Sequence, residues 1–190
     1  ALLQRHDQDL NGNRVEANWN TQIGELPSNW VGGLDYSVNK QTRYPTSIAG
    51  PFGSVDPTNF VTESFFSLPG MTQTYNPDRS NRVTTLALFA ENRSFLTQKL
   101  SLLTALRWDN IDLEVTNHRT PTATNPAYFE RNYKPLTGRA GLIYDITPAA
   151  NVYVQYSTAA DPPAGILTTA SYAQVQNFDL TAERISARLV

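Results

Sequence analysis

The chain contains no cysteine, one methionine and two histidines among its 190 residues. Each shortage removes a class of chemistry. Without cysteine there is no disulfide scaffold, no cysteine-ligated zinc or iron–sulfur centre, and no thiol nucleophile. His6 and His118 alone give little basis for histidine catalysis or metal binding, and neither a cofactor nor a metal is expected. Charge is scarce as well: 17% of residues are Asp, Glu, Lys or Arg, and the formal net charge is −2. The basic residues are dispersed, so the broad cationic face that a phosphate backbone demands is missing and no nucleic-acid partner is expected. No apolar run approaches the roughly 18 residues of a membrane helix, and Ala1 to Leu10 lacks the apolar core of a signal peptide. G-x-S-x-G, Walker and HExxH patterns are absent, so nothing points to an enzyme.

Aromatic residues are plentiful, with nine Tyr, eight Phe and three Trp, beside many Thr, Asn and Gln. That mixture suits β-structure with one wet face. The length fits one modest domain or a piece of something larger.

The dominant period is two. Val15, Ala17, Trp19, Thr21 and Ile23 share one face, and Glu16, Asn18, Asn20 and Gln22 the other. Glu25 to Asn29, with Pro27, predicts a short turn. Trp30, Gly32, Leu34, Tyr36 and Val38 then resume the apolar face against Asp35, Ser37 and Asn39, completing a hairpin. After Lys40 the alternation dissolves through Tyr44-Pro45, Gly50-Pro51, Asp56-Pro57, Pro69-Gly70 and Asn76-Pro77, which predicts a loop of about forty residues. Strand character returns from Arg82 to Phe95, where the sequence leaves the outward face unassigned. Thr97-Gln98-Lys99 predicts a tight turn, after which Leu100, Leu102, Thr104, Leu106 and Trp108 alternate with Ser101, Leu103, Ala105, Arg107 and Asp109. Past Asn110 the apolar phase moves to Ile111, Leu113 and Val115, as a β-bulge or an exit from the buried zone would produce. His118 to Asn132 predicts a polar loop. Leu136, Gly138, Ala140, Leu142 and Tyr144 oppose Thr137, Arg139 and Asp145, and the chain turns at Pro148. Val152, Val154 and Tyr156 oppose Tyr153, Gln155 and Ser157 before a Pro-rich stretch, Asp161 to Gly165.

About six strands in three hairpins result, with short turns at one end and long loops at the other. The expected fold is all-β: an antiparallel segment of a transmembrane β-barrel, with short periplasmic turns, long extracellular loops and a polar lumen. Aromatic girdles follow from the same layout. Trp30 and Tyr144 would mark the periplasmic interface, and Tyr36, Trp108 and Tyr156 the outer one. A soluble β-rich domain alternates too, but buries its apolar face inside.

Several segments carry a resemblance. The block Thr85-Leu86-Ala87-Leu88-Phe89-Ala90-Glu91-Asn92-Arg93, then Leu96 to Leu103, then Leu106-Arg107-Trp108-Asp109, resembles the strand-turn-strand signature of the TonB-dependent outer-membrane receptors that import ferric siderophores. Ala105 stands where that family usually has glycine. Pro135 to Asp145 and Asn151 to Ser157 are similar to the family's next hairpin, and Gly33-Leu34-Asp35-Tyr36 to its G-x-D-Y strand. The resemblance implies an outer-membrane barrel of 22 strands with an N-terminal plug, a ferric siderophore as ligand, surrounding lipid, and the TonB complex acting through the plug. This sequence shows no plug, no TonB-contacting segment and no aromatic final residue, so residues 1–179 are expected to be an internal part of such a barrel. Residues 180–190 read as an atypical tail, truncated or frame-shifted, in which Thr181 to Val190 suits a short amphipathic helix at least as well as a strand. The alternatives are a passive porin-like barrel segment and a soluble β-rich binding domain.

Site residues follow from type and place. Asp7-Gln8-Asp9-Leu10-Asn11-Gly12 opens like a calcium loop, but Asn18 occupies the twelfth position where a bidentate glutamate is required, so a polar loop is expected there. Asp109, Asp112 and Glu114 form no acid–base pair with an evident partner. Arg107 and Arg139, on polar strand faces, are expected to form lumen ion pairs with Glu91 and Asp109. The loop residues Arg43, Arg79, Arg119 and Arg131, with Tyr44, Tyr128, Phe129 and Tyr133, offer cations and flat rings for an anionic, partly aromatic ferric chelate. An ordinary solvated loop would collect the same residue types.

Overall fold

Backbone pairing extends the period-two segments well beyond the stretches where side chains alternate. The computed structural model describes residues 2–3, 5–45, 47–48, 58–59, 76–160, 169, 171–172 and 181–189. The strands are β1 (Leu2–Leu3), β2 (His6–Ile23), β3 (Leu26–Arg43), β4 (Ser47–Ile48), β5 (Arg79–Phe95), β6 (Leu100–Asn117), β7 (Tyr128–Tyr133), β8 (Leu136–Thr147), β9 (Ala150–Ala160) and β10 (Thr181–Leu189). The main sheet runs β2-β3-β5-β6-β8-β9-β10, all antiparallel, with β7 paired to β6 and with β1 and β4 forming a separate small sheet. β2 and β10 are its two edges, and the sheet does not close on itself among the described residues.

Four sequence expectations change. The segment Asp7 to Gly12 is not a loop: it belongs to β2, paired residue for residue with β3 from Asp7 opposite Thr42 to Gly12 opposite Ser37. Polar side chains on both faces erase the alternation there, yet backbone groups still pair. The first turn is Gly24-Glu25, not Glu25 to Asn29, because Ile23 already pairs with Leu26. Gly24 takes φ +64°, the positive value that a two-residue hairpin turn needs at its first central position. Third, Tyr128 to Asn132, expected within a polar loop, belongs to a strand, β7, paired to the upper part of β6. β7 and β8 hold one register along β6, Tyr133 opposite Ile111 and Leu136 opposite Trp108, so they form one line interrupted at Lys134-Pro135. Pro135 has no N–H for the ladder, but its carbonyl accepts from Asp109 N–H at 3.1 Å. Fourth, Thr181 to Leu189 is a strand and not a helix, with Ile185 opposite Tyr156 and Leu189 opposite Val152. A helix this short is marginal in water, whereas the free edge of β9 offers every residue a backbone partner. Much of the long stretch after Lys40, and of the Pro-rich stretch after Asp161, lies outside the described residues.

The register settles the faces. Trp19, Trp30, Leu34, Tyr36, Leu88, Leu106, Trp108, Leu136, Leu142, Tyr144, Val154 and Tyr156 share one side of the sheet, the apolar face. In β5, left open by the sequence, Leu86, Leu88 and Ala90 therefore lie on the apolar face, and Ala87, Phe89 and Glu91 on the polar one. Leu106 is 62% exposed and Leu136 64%, so this is a surface and not a core. At its turn end Ser28, Asn92 and Ser94 are buried polar residues that satisfy one another, Ser28 Oγ lying 2.9 Å from Ser94 Oγ, which in turn donates to Asn92 Oδ1 at 2.6 Å.

Above Asn110 the two faces exchange character. The β5–β6 register is unbroken from Phe95 opposite Ser101 to Arg79 opposite Asn117, so no bulge causes the change. Asn110, Asp112 and Glu114 continue the side that carries Leu106 and Trp108, while Ile111, Leu113 and Val115 continue the side of Arg107 and Asp109. There, with Val83, they form a buried cluster against which Phe129 and Tyr133 pack. Burying apolar side chains on the polar side, and wetting the other, marks the height at which the apolar zone ends.

Gly33 shows how tightly the polar face is filled. A Cβ there would meet the Val15 carbonyl oxygen and lie 2.7 Å from Phe89 Cζ. We expect Gly33→Ala to cost about 1–2 kcal/mol, as overpacking does, in urea unfolding of the folded protein. Adding Phe89→Leu should recover only part, because the Val15 carbonyl remains; full recovery would contradict the backbone contact.

Candidate functional site

On the polar face, side chains two apart along a strand or near one another on neighbouring strands bring opposite charges into a ladder. Arg14 Nε lies 3.0 Å from Glu16 Oε2 and 3.6 Å from Asp35 Oδ1. Asp35 also accepts from Arg107 Nη1 at 2.5 Å, and Arg107 Nη2 reaches Asp109 Oδ1 at 2.8 Å. Arg139 pairs with Glu91 across the sheet. The structure thus joins Glu91 to Arg139 and Arg107 to Asp109, and adds Arg14, Glu16 and Asp35, which sequence reasoning passed over. Their shared parity with Arg107 was the available signal, visible only once the strand register is known. The Arg14 guanidinium stacks 4.4 Å from the centroid of Phe89 on the same face.

At the end of the sheet away from the short turns, a second cluster forms around Asp78. Arg43 ends β3 and Arg79 begins β5, and the two are register partners. Arg79 also pairs with Asn117 at the end of β6, and Arg119 follows two residues on. Asp78, 2% exposed, accepts from Arg43 Nε at 3.0 Å and Nη2 at 2.8 Å, and from Arg119 Nη2 at 2.5 Å. Its backbone is also held, N–H to the Arg43 carbonyl at 2.9 Å and carbonyl from His118 N–H at 2.9 Å. Burial acts to raise the Asp78 carboxyl, but the Arg43 hydrogen bonds and the charges of Arg43, Arg119 and Arg79 overcome it and hold the group below the usual carboxylate value. Arg79 is also lowered, first by burial and then by the like charge of Arg43. A cavity of about 390 Å³ opens here, lined by these four residues with Asn117, Thr124, Asn125, Ser171 and Tyr172.

Three of the four loop arginines read from the sequence are therefore brought together, and the residue that organises them, Asp78, was missed. A lone Asp beside Pro77 carries no sequence signal of that role. Arg131 lies elsewhere, 5.9 Å from the Tyr133 ring centroid. The aromatic candidates disperse. Tyr44 lies under Arg5, whose guanidinium is 4.7 Å from its ring. Tyr128 is half exposed and donates to Glu130 Oε2 at 3.0 Å. Phe129 and Tyr133 pack on the upper apolar cluster, and Phe129 meets Tyr172 edge-on at 5.2 Å. Asp109 lies on the opposite face of the sheet from Asp112 and Glu114, and Asp112 accepts from Asn110 and Asn132, so Asp109 forms no carboxylate pair with either. Asp7, Asp9 and Asn11 are spread along an extended strand, where calcium ligands cannot converge.

The aromatics expected at the two interfaces all lie on the apolar face. Trp30 stacks on Trp19 beside the Gly24-Glu25 turn, with centroids 6.1 Å apart, and Tyr144 lies close to the Thr147–Ala150 turn. Tyr36, Trp108 and Tyr156 lie farther along their strands.

Residues 3–187 match the family described as TonB dependent receptor-like, beta-barrel. No curated protein matches the sequence. Among solved structures, the chain is similar to the ferric-catecholate import receptor Fiu from E. coli K12 in its closed form, at 19% identity and TM-score 0.62, covering 86% of this chain and 25% of that one. The open form of Fiu gives 19% identity and TM-score 0.61, with 85% and 26% covered. The chain thus spans about a quarter of the solved receptors it matches.

Proposed function

Because the chain belongs to the TonB-dependent receptor β-barrel family, we propose that it forms part of the wall and outer loops of an outer-membrane receptor that binds and imports ferric siderophores. In this reading the apolar face meets lipid, the polar face lines the lumen, and the Gly24-Glu25, Thr97-Lys99 and Pro148-Ala149 turns face the periplasm. The outer-membrane location and the coupling to TonB through a plug region elsewhere in the receptor belong to the same proposal. The family comprises receptors and transporters rather than enzymes.

The observation that carries the proposal is the convergence of Arg43, Arg79 and Arg119 on one cavity at the outer end of the polar face. Guanidiniums held there by the ends of three strands suit capture of an anionic chelate, since each offers a planar fork of donors and a permanent charge. Ferric catecholates, the cargo named for Fiu, are the first class to test.

The test is uptake of radiolabelled iron from a panel of ferric siderophores by cells whose own receptors are deleted and which express the complete polypeptide containing this chain. We expect TonB-dependent uptake of at least one chelate, reduced about tenfold or more by the Arg79→Gln/Arg119→Gln pair. Diffusive uptake independent of TonB would support a passive pore instead, and uptake of none would overturn the proposal.

A further inference from the structure

Above the apolar zone, one row of the register carries a charged residue in every strand it crosses. Asp9 pairs with Lys40, Lys40 with Arg82, Arg82 with Glu114, and Glu114 with Glu130, all on the side that carries Tyr36, Leu86 and Trp108. We infer that this band is a self-complementary interface, through which two copies of the complete polypeptide associate side by side in the membrane. The inference rests on the receptor reading only in taking this side as the barrel's outside.

The row is divided by sign. Its last four places read basic, basic, acidic, acidic, so like charges stand directly opposite at Lys40 and Arg82 and again at Glu114 and Glu130. Within one sheet that arrangement is destabilising. All four residues are exposed, and none of them forms an ion pair among the described residues. A cavity of about 510 Å³ opens over the acidic half, where Asp112, Glu114 and Glu130 bring three carboxylates against the single guanidinium of Arg131. A two-fold axis along the membrane normal, passing between β5 and β6, reverses the order in the second copy. The basic half of each copy then meets the acidic half of the other. Barrel strands tilt, so the two rows cross instead of running parallel. Arg82 approaches Glu114 of the second copy, and Lys40 falls on the mouth of its acidic cavity. With neighbouring strands about 4.8 Å apart, all four residues lie within about 7 Å of the axis, near enough for long side chains to bridge two convex walls. Lipid phosphates would meet only the basic half and be repelled by the acidic one, whereas a second copy answers both. Exposed pairs make a weak contact, one that forms in a crowded membrane and dissolves on dilution.

Energy transfer between donor-labelled and acceptor-labelled copies of the complete polypeptide, reconstituted at high protein-to-lipid ratio and low ionic strength, tests this. The unsubstituted protein should show transfer that falls on dilution with lipid and on adding salt. Arg82→Glu and Glu114→Arg, each alone, should weaken association about tenfold, since two attractions become two repulsions. Mixing the two variants should restore it, because opposite charges again face each other, and so should both substitutions in one chain. Misfolding or lost lipid contact would not be repaired by mixing. Absence of transfer in the unsubstituted protein, indifference to either single variant, or a loss that mixing leaves in place would each overturn the inference. Both single variants should retain the uptake of the unsubstituted protein. Association without uptake of any ferric chelate would remove the receptor reading and leave the interface; TonB-dependent uptake without association would do the reverse.

Discussion

Replacing Leu106 with arginine is expected to cost about 2–4 kcal/mol in the lipid-reconstituted protein, the depth-dependent cost of a cation near the middle of a barrel's lipid face. Leu106 lies on the apolar face of β6 between Thr104 and Trp108, in register with Ala90 and Gly138, and it is 62% exposed. In a water-soluble protein such a leucine contributes almost nothing, and arginine there would be neutral or would aid solubility. In lipid the same change forces a guanidinium into hydrocarbon, where snorkelling from mid-span relieves only part of the cost. The internal control is Ala105→Arg, one residue away on the polar face that carries Glu91 and Arg139. It should cost less than half as much. Urea unfolding from vesicles reads both changes, and equal costs at the two positions would contradict the assignment of faces.

Asp78→Ala is expected to destabilise the outer end of the sheet by about 2–4 kcal/mol, somewhat less than a fully buried pair because Arg119 is half open to water. Removing the carboxylate leaves Arg43, Arg79 and Arg119 facing one another without their common counter-charge. The effect should be local, seen as faster amide exchange at 117–125, where His118 and Arg119 are tied to Asp78. The pH dependence has a definite sign. Because the folded carboxyl lies below its ordinary value, its contribution is complete above that ordinary value of about 4, declines as pH falls beneath it, and is gone once pH passes the folded value. The Ala variant should lack that acid-side decline. An unchanged acid profile would show that Asp78 does not organise the cluster.

Period two was strong enough in the sequence to reveal both faces of β2, β3, β6, β8 and β9 where one face is apolar throughout. It failed where that demand stops. From Asp7 to Gly12 and from Tyr128 to Tyr133 neither face is uniformly apolar, so paired strands look like polar loops. The shift at Ile111 offered two explanations, and only the unbroken register with β5 decides for the end of the apolar zone over a bulge. Thr181 to Leu189 fits a helix or a strand by local pattern, and the neighbouring edge of β9 makes the choice. Long-range pairing also explains the site. Arg43, Arg79 and Arg119 could be selected by type and loop position, but Asp78 and the Asp35 link to Arg107 depend on which strands lie side by side.

The most direct test of the account is a nitroxide scan along β6. The chain contributes no cysteine of its own, so single cysteines from Leu100 to Asn117 can each be labelled in the complete polypeptide and reconstituted in lipid. Collision with oxygen, which partitions into hydrocarbon, is compared with collision with a water-soluble nickel chelate. The account predicts high oxygen contact at Leu102, Thr104, Leu106 and Trp108, high nickel contact at Asp112, Glu114 and Thr116, and little of either at Ile111, Leu113 and Val115. Nickel contact at Leu102 and Leu106 equal to that at Glu114 would contradict a lipid-facing apolar surface, and with it the membrane barrel.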